Sequence, residues 1–136
     1  MPISRSVGLY LLSAPEGNAP NVLPAPALDR EVVRVLGKTR RYMEDHLADP
    51  LTIPALSRMA MLSATTFKDA FRRLYGLPVH AWLRQRRMER AAELLRDSSL
   101  SVLGVAQSVG YGSASQFTAA FRRQYGMTPA KYRKDV

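Results

Sequence analysis

The sequence predicts an all-α fold: two helix-turn-helix units joined by a central linker helix, about seven helices in all. Three observations predict it. From Leu28 onward the apolar residues recur at helical spacing and nowhere alternate for long. Ser, Thr, Asp, Gly and Pro stand where helices should start and stop. A stretch of fourteen residues also repeats, without a gap, at an offset of about 50 residues.

Residues 1–29 differ from the rest. They hold one basic residue, Arg5, and the prolines Pro2, Pro15, Pro20, Pro24 and Pro26. Ser13 to Ala27 reads as an extended, semi-rigid linker. The apolar stretch Val7 to Leu12 reads as a strand without an evident partner, or as a disordered tail.

Val32, Val33, Leu36, Tyr42, Met43 and Leu47 mark the first helix, with Asp29 as its N-cap and Asp49-Pro50 as its stop. A short helix, Ile53 to Ala60, follows. Thr52 caps it, Pro54 sits in its first turn, and Ile53, Leu56, Met59 and Ala60 share a face. Met61-Leu62 makes a tight turn, Ser63 caps the helix Ala64 to Tyr75, and Gly76 closes it in the left-handed conformation. These elements make a first unit, 30–78.

The connecting helix comes next, within 79–97. Trp82, Leu83, Met88, Ala91, Leu94 and Leu95 are expected as its buried face, and its length is about 25 Å at 1.5 Å per residue. The second unit, 98–136, repeats the plan. Leu103, Ala106 and Val109 mark a short helix, Gly110-Tyr111-Gly112 the turn, and Ser113 the cap of Ala114 to Tyr125. Gly126 ends that helix, and Pro129 to Lys134 opens a last basic turn.

The repeat sets Ser63 to Gly76 over Ser113 to Gly126, with nine of the fourteen positions identical. The serines cap. Phe67, Ala70, Phe71 and Leu74 lie at i, i+3, i+4 and i+7 and form one buried stripe, repeated by Phe117, Ala120 and Phe121. The opposite face then points outward. It carries Thr65, Lys68, Asp69 and Arg72 in the first unit, and Ser115, Gln116, Thr118, Ala119 and Arg122 in the second.

A short helix, a tight turn and a capped second helix with a polar outer face can place that helix in a major groove. Ser, Thr, Gln and Lys hydrogen-bond base edges, and the Arg pairs at 72–73 and 122–123 suit phosphates. Two such helices must meet the duplex about one turn, ~34 Å, apart, a spacing that a stiff connecting helix can fix.

Charge agrees. Twenty Lys+Arg against eleven Asp+Glu give a formal charge of +9, which favours an anionic partner, nucleic acid before membrane. With no cysteine, disulfides, thiolate metal sites and Cys nucleophiles are excluded. No apolar run approaches the ~20 residues of a membrane span, so no membrane partner is expected. His46 and His80 fall on different helices, and there is no phosphate loop or metal-ligand cluster. The expectation is no enzyme, no catalytic or metal residues and no cofactor. The competing readings are a non-specific architectural DNA binder and a helical module for protein contacts.

The residues that carry the repeat resemble the C-terminal DNA-binding domain of AraC/XylS-type transcription regulators. They are Leu51 to Ser57, Ser63 with Phe67, Phe71, Arg72, Tyr75 and Gly76, then Arg87, Ala91, Leu94 and Leu95, and finally Val105 to Tyr111 through Phe117, Phe121, Arg122, Arg123, Tyr125, Gly126, Thr128, Pro129, Tyr132 and Arg133.

The resemblance covers roughly residues 30–134. It implies a bilobed domain of homeodomain-like three-helix units and a cytoplasmic, sequence-specific regulator of bacterial transcription. It implies base contacts from Thr65, Lys68, Asp69, Ser115, Gln116 and Ala119. It implies phosphate contacts from Arg72, Arg84, Arg122 and Arg133. Members often activate promoters by touching RNA polymerase, and full members usually carry an upstream sensor domain. The Pro-rich segment favours a chain cut from such a protein over a small stand-alone regulator, so a small-molecule effector would act only through the missing part.

Family members often carry Arg where Asp69 and Ala119 stand. Asp69 cannot donate to guanine but can accept from cytosine N4, and Ala119 can pack on a thymine methyl, so the family's pattern does not tell which bases are read here.

Overall fold

The computed structural model describes residues 28–136; the strand and linker expected before them lie outside the described residues. The described chain is seven helices: α1 (Arg30–Asp45), α2 (Ile53–Met59), α3 (Ala64–Tyr75), α4 (Val79–Asp97), α5 (Val102–Ser108), α6 (Ala114–Tyr125) and α7 (Pro129–Asp135). No strand occurs among the described residues.

Six of the seven helices start on a side-chain cap: Asp29, Thr52, Ser63, Ser101, Ser113 and Thr128 each accept from a backbone N–H three residues on. Each such bond satisfies a donor that the helix cannot, and contributes about 1 kcal/mol. Gly76 (φ 84°) and Gly126 (φ 77°) end α3 and α6 in the left-handed conformation that glycine adopts without strain.

α1 stops at Asp45 rather than at Asp49-Pro50. His46 to Asp49 form a turn instead, with the His46 and Asp49 N–H groups bonded to the Met43 and His46 carbonyls. The His46 ring stacks on Tyr42 (centroids 3.9 Å apart) and bonds the Tyr42 carbonyl through Nδ1, which holds the end of the helix.

Two separate cores form. Leu36, Met43, Leu47, Leu56, Ala60, Phe67, Ala70 and Phe71 make the first with Val79 and Leu83 of α4. Met88, Ala91, Ala92 and Leu95 of α4 make the second with Val105, Ala106, Val109, Phe117, Ala120 and Phe121. In both, a phenylalanine pair one turn apart anchors the capped helix: Phe67 and Phe71 (centroids 5.9 Å apart), then Phe117 and Phe121 (5.8 Å).

α4 does not bury a single face. At 100° per residue, Val79, Trp82 and Leu83 centre on one side of the helix, and Met88, Ala91, Ala92 and Leu95 centre about half a turn away. Its first half therefore belongs to one lobe and its second half to the other, on the opposite side. Nineteen residues make it about 28 Å long.

Two short-helix expectations change. Met59 is 45% exposed and Leu103 46% exposed, while Ser57 and Val105 are buried. In a seven-residue helix against one neighbour, only about one turn of side chains faces the core, so the flanking apolar positions meet water.

Candidate nucleic-acid interface

α3 and α6 are seated alike, which fixes what they show to solvent. Burial of Phe67, Ala70 and Phe71 turns Thr65, Lys68 and Arg72 outward, and all three are exposed. Asp69 lies on the same side but is half-buried, because its carboxylate receives Arg73 Nη1 at 3.4 Å one turn on. A base amino group that bonds Asp69 must therefore share it with Arg73.

In the second lobe Ser115, Gln116, Ala119 and Arg122 are exposed. A shallow depression runs along α6, lined by Ala114, Ser115, Thr118, Ala119, Arg122 and Arg123. Its lining combines small side chains with two arginines. Small side chains leave room for a methyl group or a flat base edge, and the cations favour phosphate.

Arg84 is exposed on the second turn of α4. Arg133 is different. Its guanidinium turns inward to the end of α4, where Nε donates to the Leu95 carbonyl at 2.9 Å. Nη2 lies 3.3 Å from the Ser98 carbonyl and 3.5 Å from that of Leu94. A cation at a helix C-terminus satisfies orphan carbonyls and opposes the negative end of the dipole. The outward helix faces thus bring Thr65, Lys68, Asp69 and Arg72 together on one lobe, and Ser115, Gln116, Ala119 and Arg122 on the other. Arg84 stands on the linker between them, and Arg133 lies with the carbonyls.

Arg90 pairs with Glu93 at 3.0 Å, one turn on along α4. Arg87 does not. It reaches back about forty residues to the Leu47 and Asp49 carbonyls, both at 2.9 Å. Periodicity gave no sign of this contact, because the partners are backbone atoms of a distant turn.

No group of three or more His, Cys, Asp or Glu that could hold a metal occurs among the described residues. None of the described helices is long and apolar enough to cross a membrane.

Comparison with known proteins agrees with this geometry. The family profile described as a helix-turn-helix domain matches residues 56–135. The chain is 34% identical over 101 residues to the HTH-type transcriptional regulator ExsA of Pseudomonas aeruginosa, covering 74% of this chain and 36% of that protein. It is 31% identical over 96 residues to the virulence regulon transcriptional activator VirF of Yersinia enterocolitica, covering 71% and 35%. The chain spans about a third of the length of the curated relatives it matches. Among solved structures, it is similar to the DNA-binding domain of the global transcriptional factor AdpA, in complex with a target DNA. The TM-score is 0.71 and the identity 34%, over 74% of this chain and 90% of that one.

Proposed function

The chain belongs to the AraC/XylS-type helix-turn-helix family, and on that footing we propose that it binds a specific double-stranded DNA site and regulates transcription from it. α3 and α6 enter successive major-groove segments. The observation that carries this reading is the duplicated, capped helix with a polar outer face, mounted once on each side of α4.

Thr65, Lys68 and Asp69 read bases in one segment, and Ser115, Gln116 and Ala119 in the other. Arg72, Arg84 and Arg122 hold phosphates. Sequence is read by the side chains that reach base edges, while the arginines set affinity and register. Arg133 supports the end of α4, and so contributes to the shape of the second lobe rather than to the phosphate grip. The site of action is the cytoplasmic nucleoid. Activation through contact with RNA polymerase extends the proposal, and the relative named a transcriptional activator supports it. Run-off transcription with purified polymerase reads that step.

Selection of bound duplexes from a random library at physiological salt tests the core of the proposal. Two enriched blocks about one helical turn apart are expected. A single block would remove one lobe from base reading. No enrichment above ~10-fold would overturn sequence specificity, since specific binders exceed non-specific binding by ~10³ or more.

A further inference from the structure

Two lobes with separate cores on opposite faces of one helix can still rock about that helix. One place where they touch is well defined. Leu47, in the turn after α1, is buried in the first core, which fixes its carbonyl. Arg87, on α4 just before the first residue of the second core, donates Nε to that carbonyl and Nη2 to the carbonyl of Asp49. Gly110, in the turn of the second lobe, closes the junction. A Cβ placed on it would stand 2.8 Å from the Leu47 carbonyl oxygen and 3.3 Å from Arg87 Cζ and Nε. Its neighbour Val109 is buried in the second core.

The equivalent turn of the first lobe shows that this glycine answers more than backbone geometry. Met61 occupies the corresponding place with φ 59°, and its side chain is 90% exposed. The turn can therefore accept a side chain. What leaves no room for one at Gly110 is the backbone of the other lobe and the guanidinium laid across it. The Arg87 guanidinium is half-buried there, and burial pushes its pKa down, against a smaller upward pull from Tyr111.

We propose that Arg87 and Gly110 form a clamp that locks the two lobes at one angle and so sets the half-site spacing the protein accepts on DNA. The proposal rests on the DNA-binding reading for its functional half only; the clamp itself is a property of the free protein. Arg87 is a positioning residue: it contacts no base and acts through the placement of α3 and α6.

The chain has no cysteine, so one pair of spin labels can be placed cleanly. Ala55→Cys on α2 and Gln107→Cys on α5 put one exposed label on each lobe. The distance distribution between them, in the free protein, is expected to be narrow, and to broaden in both Arg87→Lys and Gly110→Ala. Lysine keeps the charge but cannot fork to two carbonyls. Alanine is strained at φ +92° and meets Leu47.

On DNA, affinity is then measured for the selected site and for versions with one or two base pairs added between the blocks. The parent protein is expected to discriminate between spacings, and both variants to lose roughly tenfold of that discrimination, because a loose joint spreads the second lobe's effective concentration over more positions. Affinity for a duplex with a single block should stay within about twofold.

Unchanged distance distributions in both variants would overturn the clamp. Broadened distributions with an unchanged spacing preference would overturn its role in spacing. If Gly110→Ala does not fold, Arg87→Lys decides alone, with its melting curve as the check. Should no preferred DNA site exist, the label distances still decide the clamp, while the functional reading fails separately.

Discussion

Arg122 and Arg133 look alike in the sequence, yet Arg122 is exposed while Arg133 turns to backbone carbonyls, and replacing each by alanine tests the two roles proposed for them. Arg133 donates a well-placed charged hydrogen bond to the Leu95 carbonyl and a longer one to Ser98. The contact to Leu94 adds little, because that carbonyl already accepts from the Ser98 N–H and hydroxyl. One good charged bond contributes about 1.5–3 kcal/mol, and a cation at a helix C-terminus about 0.3–1 kcal/mol. Arg133→Ala should therefore cost about 2.5 kcal/mol. For a domain of this size that is a fall in Tm of roughly 10 °C. Arg133→Lys keeps the charge but loses the fork, and should lose about half as much.

Thermal and guanidinium unfolding followed by circular dichroism reads these losses. Fluorescence anisotropy with the selected duplex between 50 and 200 mM salt reads the second role. Arg122 is exposed, so Arg122→Ala should leave Tm unchanged within a degree or two and lower the salt slope by about 0.9, one phosphate contact. Arg133→Ala should leave the slope unchanged under conditions where it is folded. A slope lowered by about 0.9 with an unchanged Tm in Arg133→Ala would refute the assignment, and would return this residue to the phosphate grip.

Met61→Gly should stabilise the chain by up to about 1 kcal/mol in denaturant unfolding. Relief of the left-handed strain, about 1–2 kcal/mol, exceeds the extra entropy of glycine, about 0.5–1 kcal/mol, and the exposed side chain leaves little buried area to lose. Phe117→Ala removes a fully buried ring from the second core and should cost about 3–5 kcal/mol, read as early loss of the α5–α6 amide protection in hydrogen exchange. Lys68→Ala and Gln116→Ala should each change preference at particular base pairs by about 1–3 kcal/mol, in different blocks of the selected site. An unchanged preferred sequence for Lys68→Ala would remove that base contact.

Most of the helical plan is written locally. Asp29, Thr52, Ser63 and Ser113 cap where the sequence placed them, and Gly76 and Gly126 close α3 and α6. Each of these signals acts over three or four residues, so a short window suffices to read it. The buried phenylalanines and the outward Thr65, Lys68, Ser115 and Gln116 follow from the same spacing, since burying one face of a helix exposes the other. The repeat added the one long-range fact the sequence holds, that this unit occurs twice.

Tertiary packing decided the rest. α4 was expected to bury one stripe, but it serves two cores on opposite faces, because Met88 lies about half a turn round from the line through Val79 and Leu83. Arg133 turned from solvent to the carbonyls at the end of α4, and Arg87 to those of Leu47 and Asp49, across 35 to 40 residues of chain. A backbone carbonyl carries no residue identity, so no pattern of side chains can announce that it will be an acceptor. The sequence by itself determined the helices and the outward faces of α3 and α6. Only the folded chain decided which arginines remain exposed and which turn to backbone carbonyls.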